Sequence, residues 1–360
     1  MKAAICKEFG KPLELAEVNL RPTGQGELRV KMKAVAICHS DIAYMDGIWG
    51  GDLPAVYGHE AAGEVLEVGS GVNGFAVGDA VLVTLIRGCG HCRYCGDGHP
   101  TSCAHVPNTY QSSPITDADG ALITQGMSTG AFAEEVLVDQ SQVHPLPEDM
   151  AMDVASLLAC GVVTGYGAVT NSAQMKQGSH VVVVGAGGVG LNAIQGAAIN
   201  GAASVIAIDV TEEKLETAKA FGATHGILVG DVSPEVIAGL TDGNGADYVF
   251  VTVGAIPAFT QAPDLLAAKG EVVLVGMPPV GAVAEYVPVN IAAMSQVIRG
   301  SKMGETVLSR DIPKLIREYQ DGQLKLDELI SHRFAFEDIN QAIAKTREGT
   351  SNRNVLIFGD

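Results

Sequence analysis

The segment from His180 to Asp209, "HVVVVGAGGVGLNAIQGAAING" followed by "SVIAID", limits the fold more than any other part of the chain. A run of valines leads straight into Gly185, Gly187 and Gly190, the spacing G-x-G-x-x-G, and then into a helical pattern. Strand, tight turn and helix in that order predict a βαβ unit. The alternation continues with the helix "TEEKLETAKAFG", the strand "ADYVFVTVG", the helix "IPAFTQAPDLLAAKG" and the strand "EVVLVG". Apolar strands separated by helices require a parallel sheet covered on both faces. Asp209 ends the next strand 19 residues after Gly190, where a carboxylate accepts hydrogen bonds from an adenosine ribose. Gly185 allows the turn, Gly187 lets the backbone approach a pyrophosphate, and Gly190 allows close packing of helix on strand. Gly188 and Val189 open that helix, whose N-terminus favours phosphate charge. Asp209 repels an extra ribose phosphate, which points to NAD over NADP. Lys214 lies along the ribose or is a solvated helix lysine.

The first 150 residues have a different rhythm. Short apolar runs, "LRVKMKAVAI", "GEVLEV" and "DAVLVTLI", alternate with Gly, Pro and Asp turns and read as a mainly β domain. "MDVASLLACGVVTGYGAVTNSA" then looks helical; past residue 300, "DIPKLIREYQDGQLKLDELI" and "FEDINQAIAKTREG" read as amphipathic helices and "NVLIFG" as a last strand. A chain of 360 residues exceeds what one core usually holds, so an α/β protein of two domains is expected, one mainly β and one a doubly wound parallel sheet. Its net charge of −18 repels phosphate backbones and anionic membranes, which argues against nucleic acid as a partner. No segment reads as a membrane helix or a signal peptide, and a cytoplasmic protein is expected.

Seven cysteines in a reducing compartment suggest metal ligands more than disulfides. Four of them, Cys89, Cys92, Cys95 and Cys103, crowd into "GCGHCRYCGDGHPTSC" with spacing C-x2-C-x2-C-x7-C. Four thiolates on one loop close a tetrahedral shell around Zn2+ and leave no position for substrate, which makes this a structural site. A redox C-x-x-C pair and unligated thiols are the alternatives. His91, His99 and His105 are spare ligand candidates or surface residues. A catalytic zinc needs three protein ligands and one exchangeable position, and Cys38, His59 and Cys160 are available for it. Each alone reads equally as a buried thiol or a satisfied core histidine.

In combination, "CHSD", "GHEAAGEVLEVGSGV", the four-cysteine lobe, "CGVVTGYGA" and "GAGGVG" occur in an order and spacing that resembles the zinc-dependent alcohol dehydrogenases of the medium-chain dehydrogenase/reductase superfamily. The likeness runs nearly end to end. It implies a GroES-like catalytic domain at residues 1–161 and 300–360 and a Rossmann domain at 162–299. It implies Cys38, His59 and Cys160 as catalytic zinc ligands, Glu60 as a nearby carboxylate, and Asp41 as the acid that orients the ligand histidine. Ser40 would contact the alcohol and take its proton; His39 and Arg353 would face the cofactor pyrophosphate and Thr164 the nicotinamide. The reaction implied is reversible hydride transfer between an alcohol and NAD, with two zinc ions per subunit.

One departure from the family pattern is Ala43, which stands where many members carry a proton-relay histidine. Proton release is then expected to use the cofactor ribose and water, or another residue. Leu85, Met127 and Met277 are expected to line the substrate pocket, with Trp49 and Ile48 near its mouth, which suits a hydrophobic primary alcohol; ordinary core packing explains any one of them as well. A glutathione-adduct or polyol dehydrogenase of the same fold is the alternative. The absence of arginine between Arg93 and Arg299 counts against the glutathione adduct. A non-catalytic zinc-binding regulatory module is the reading from another class; the acidic charge and the second ligand set count against it. By analogy a homodimer or homotetramer is expected, paired through "EVVLVG" or "EYVPVNI" as an exposed edge.

Overall fold

Buried and half-buried positions alternate along Glu27–Ala36, as a strand with one face on a core requires. In the computed structural model, which describes residues 1–359, this strand is central to the larger sheet of the first of two units. Glu60–Val68 pairs with it on one side and Arg353–Ile357 on the other, both antiparallel, and Glu135–Asp139 pairs with its N-terminal half. Ala80–Thr84 lies beyond Glu60–Val68, and Ile330–Ala335 beyond Arg353–Ile357. The registers matter for the site: Ala36 is opposite Glu60 and Val355, and Glu60 is opposite Thr84. One row across the sheet thus gathers residues that are hundreds of positions apart in sequence. A second sheet, of six short strands, includes Lys2–Cys6 and Leu122–Gln125. Phe132, Leu28 and Met32 are among the fully buried side chains of this unit.

The first unit comprises Met1–Cys160, Val307–Ile312 and Leu326–Asp360; the second comprises Gly161–Thr306 and Pro313–Lys325. The chain therefore returns later than residue 300 and in two steps. The second unit holds six parallel strands in the order His225–Leu228, Ser204–Asp209, His180–Val184, Ala246–Val251, Leu266–Leu274, Val297–Gly300. In sequence order this is 3-2-1-4-5-6, the doubly wound dinucleotide-binding arrangement. The burial of Val181, Val182 and Val183 at 0% exposure agrees with a strand covered on both faces.

Three readings of the sequence need correction. The expected helix "IPAFTQAPDLLAAKG" is helical only over Ile256–Gln261, followed by a short turn and then by a strand already at Leu266. Pro263 and Gly270 weaken the helix, and sheet pairing of Leu266 with Ala246 takes over. The expected helix from residue 311 ends at Gln320; Asp321 and Gly322 form the turn that stops it, and Asp327–Leu329 is a separate short turn. Finally, "EVVLVG" is no edge. It is paired on both sides, and "EYVPVNI" runs into the short helix Pro288–Ala293. The two edges are His225–Leu228 and Val297–Gly300, of which the latter is the more exposed.

Met152–Ser172 is long and apolar enough to cross a bilayer, but 89% of its most apolar window is buried inside the protein, and it is a core helix. It is not uniformly α: Leu158–Val162 and Ala168–Ser172 are π-helical turns.

Candidate metal centre and dinucleotide site

Cys38 stands two residues after the end of the central strand and precedes the helix His39–Met45, whose third residue is Asp41. The Asp41 carboxylate reaches back over the turn, with Oδ2 accepting from the Cys38 backbone N–H at 3.1 Å and Oδ1 from the Gly58 N–H at 2.9 Å. Oδ1 is also 3.0 Å from Nδ1 of His59. Gly58 adopts a left-handed φ of +90°, and a Cβ there would come within 2.6 Å of the Phe132 backbone nitrogen; only glycine fits before His59. Asp41, His59 and Glu60 are completely buried.

Cys160 arrives from the π-helical turn Leu158–Val162. Turns of this kind widen the helix by a residue and recur at functional sites. The preceding carbonyl, of Ala159, accepts from Thr84 Oγ1 at 2.5 Å, which anchors the turn to the sheet. The ligand atoms of Cys38, His59, Glu60 and Cys160 all lie within 4.8 Å of one another, and all four residues are buried. Nε2 of His59 is buried there without a hydrogen-bond partner. An orphaned imidazole nitrogen among two thiols and a carboxylate is costly in a protein core unless a cation takes its lone pair. This donor set fits Zn2+.

The electrostatics follow from burial. The Cys38 thiol is held well below its ordinary value, mainly by a hydrogen bond from Cys160, and the Cys160 thiol is raised well above its own by the same contact. Burial is the largest influence on His59 and works against charging it, but Asp41 and Cys38 together outweigh it, and the imidazole is raised well above its ordinary value. Glu60 is pushed up to about 7, chiefly by burial, although Arg353 opposes this. Arg353, expected opposite a cofactor pyrophosphate, is buried at 6% exposure and donates from Nη2 to Glu60 Oε2. The register explains the pairing: Glu60 and Val355 flank Ala36 from opposite sides.

The other expected residues are less closely grouped. Ser40 is half-buried and His39 exposed on the first turn after Cys38. Leu85 and Trp49 are half-buried, and Trp49 packs edge-on against Tyr44 at 5.2 Å. Met127 sits with Ser128 in a turn where both have left-handed φ, +50° and +56°. Ile48 is exposed. Met277, expected in the pocket, is 63% exposed in an apolar stretch with Val280 and Val283.

Two residues with a role here gave no signal in the sequence. Besides the Thr84 bond to Ala159, the fully buried Gln142 donates from Nε2 to the carbonyls of Thr84 and Ser128, at 2.9 Å each. Leu85, Met127 and Cys160 are thus each next to a backbone group tied into one buried network. A threonine in a strand and a glutamine in a turn look ordinary in sequence.

In the four-cysteine lobe, backbone N–H groups point at sulfur: Cys92 N on Cys89 Sγ at 3.3 Å, Cys89 N on Cys103 Sγ at 3.3 Å, and His105 N on Cys103 Sγ at 3.4 Å. The backbone N–H groups of Ala104 and Cys95 lower the Cys92 thiol to about 6. The four sulfurs lie within 4.8 Å of one another. Such donors favour thiolate, the form a metal binds.

In the second unit, Gly190 approaches Gly185 so closely that a Cβ would meet its carbonyl oxygen at 1.7 Å, while the space beside Gly187 is open. The Gly188–Ile199 helix starts there with its N–H groups free of a side-chain cap. Asp209 Oδ2 accepts from the Ala186 N–H at 2.6 Å and Oδ1 from the Val210 N–H at 2.7 Å; Lys214 Nζ is 3.7 Å from Oδ1. This open glycine loop, joined to a carboxylate, fits a dinucleotide. Thr164 is buried, 3.6 Å from Met303 Sδ.

Residues 24–148 match the family described as alcohol dehydrogenase GroES-like domain, and residues 188–321 match zinc-binding dehydrogenase. The NDMA-dependent alcohol dehydrogenase of Amycolatopsis methanolica is 33% identical over 365 residues, covering 99% of this chain and 98% of that one. The chain belongs to the zinc-dependent alcohol dehydrogenase family. Its medium-chain dehydrogenase/reductase fold, GroES-like and Rossmann-like, is shared with solved members of that family. The alcohol dehydrogenase zinc-binding domain protein of Burkholderia ambifaria superposes with a TM-score of 0.95 at 31% identity, covering 100% of this chain and 99% of that one. The benzyl alcohol dehydrogenase of Acinetobacter calcoaceticus gives a TM-score of 0.93 at 31% identity, with 99% of each chain covered. Membership makes this zinc-dependent alcohol dehydrogenase an oxidoreductase of small alcohols or aldehydes that uses zinc and a nicotinamide dinucleotide.

Proposed function

We propose that the protein oxidises hydrophobic primary alcohols to aldehydes with NAD, and catalyses the reverse reduction, with Cys38, His59 and Cys160 holding the catalytic zinc. The observation that carries this reading is the buried, unpartnered His59 Nε2 among two thiols and a carboxylate. The chemistry such an ion supplies when bound is Lewis acidity, which brings an alcohol's pKa toward neutrality. Asp41 holds a proton on His59 Nδ1 and so keeps Nε2 available as a donor. Ser40 accepts a hydrogen bond from the alcohol hydroxyl and relays its proton, taking it up while releasing its own toward the cofactor ribose or water. Arg353 keeps the Glu60 carboxylate compensated inside the protein. Cys89, Cys92, Cys95 and Cys103 hold a second, structural zinc.

The carboxylate of Asp209 favours NAD, since a ribose phosphate placed on it is repelled. Half-buried apolar side chains at Leu85, Met127 and Trp49 suit a hydrophobic substrate. Seven free cysteines among the described residues suit a reducing, cytoplasmic location. The exposed edge Val297–Gly300 and the exposed Val283, Val287 and Val289 support pairing of two copies. The test is a panel of aliphatic, aromatic and polyol substrates with NAD(H) and NADP(H), before and after removal of zinc. NAD preferred and turnover lost with the metal is the expected result. Turnover that survives metal removal would overturn the mechanism.

A further inference from the structure

Three histidines accompany the four-cysteine lobe, and the fold separates them. His99 leads into the turn Pro100–Ser102 and is not part of any ligand-spaced group among the described residues. His91 and His105 converge instead. Their rings are 5.3 Å apart, and their ligand atoms lie with Cys89 Sγ within 4.8 Å of one another. Nδ1 of His105 is 3.7 Å from Cys89 Sγ. Nitrogen and sulfur ligands at about 2.1 and 2.3 Å on one tetrahedral ion are roughly 3.6 Å apart, so this separation already suits a shared metal. Nδ1 of His91 lies 2.8 Å from the Cys89 carbonyl. With its N–H donated there, the ring carries its lone pair on Nε2, the arrangement that ligand histidines adopt. Both histidines are exposed and Cys89 is half-buried, so an ion can reach them from solvent.

We propose that Cys89, His91 and His105 form a third, surface site for zinc or a similar divalent ion, bridged to the ion of the lobe through the Cys89 thiolate. The inference rests on the lobe being a metal site. Four thiolates around one dication leave a surplus of about two negative charges, so the outward sulfur remains a strong donor toward a second cation. Two imidazoles supply the remaining directional ligands, and the fourth position is left to water. The site is therefore open and exchangeable, whereas the lobe is closed.

The test counts zinc. Purified protein is assayed for zinc as isolated, equilibrated with micromolar Zn2+, and assayed again. The expected result is an as-isolated count of two and uptake of one more. His91→Ala and His105→Ala each weaken that uptake at least about tenfold, the scale on which metal sites respond to loss of a supporting group, and His99→Ala leaves it unchanged. No uptake, or undiminished uptake by the His91→Ala/His105→Ala double variant, overturns the third site while the as-isolated count stays at two. A double variant isolated with one ion fewer also overturns it, since the histidines then serve the lobe's own ion. An as-isolated wild-type count of one that Cys95→Ser leaves unchanged defeats the lobe reading and the bridged site with it.

Discussion

Asp41 supports the candidate metal centre through three contacts, without being among its proposed ligands. Its two oxygens receive the Cys38 and Gly58 backbone N–H groups and face His59 Nδ1. Asp41→Asn keeps the shape and removes the charge; zinc affinity is expected to fall 10- to 100-fold, roughly the range for such supporting partners, as measured by competition with a chelator. Unchanged affinity would show that the carboxylate serves only the backbone. Ala43 makes a second prediction at this scale. It is buried at 9% exposure on the helix that carries Ser40, and its methyl group cannot relay a proton. Ala43→His is expected to change the pH dependence of turnover, and an unaltered profile would exclude a relay through this position. Much of the residue-level picture was legible in the sequence because it is local: the lobe lies within fifteen positions, and Asp209 follows its glycines at a fixed interval. The pairing of Glu60 with Arg353 was not legible. It depends on strand register between segments nearly 300 residues apart.

At the scale of elements, the π-helical turn at Leu158–Val162 is the least predictable part of the site and the one most dependent on support. Apolar periodicity identified a helix over this stretch but carries no mark of the extra residue in its turn. Thr84→Val removes the bond to the Ala159 carbonyl at nearly constant volume. Leaving that buried acceptor unpaired is expected to cost about 1–3 kcal/mol in chemical denaturation, and Thr84→Ser should restore most of it. A Val variant as stable as the parent would mean the turn holds its own shape. Four strands of the second unit were readable because their apolar runs are largely buried, whereas the more exposed edges His225–Leu228 and Val297–Gly300 were not read. The order of the strands was not legible either. Analogy with the family made "EVVLVG" an edge candidate, whereas the pairing of Val297–Gly300 outside it puts it in the interior of the sheet.

For the whole molecule, charge and the exposed edge act against each other. A net charge of −18 repels copies in dilute salt, and the proposed pairing must overcome it with the exposed edge and with Val280, Val283, Val287 and Val289, each more than half exposed. Sedimentation is expected to give a dimer or a tetramer, and Val289→Asp should shift it toward the monomer; a monomeric parent would refute the pairing. The domain arrangement has a further consequence, for the order of events as the chain is made. On the proposed two-zinc reading, the lobe's four thiols, which lie within fifteen positions, can capture an ion as soon as residue 103 is free. The site formed by Cys38, His59 and Cys160 waits for the far end of the chain, because the strand beside Ala36 and the guanidinium that compensates Glu60 come from Arg353–Ile357. Synthesis must be all but finished before the interior around Glu60 is electrically complete, and a break near the C-terminus would disable a centre whose ligands were translated long before.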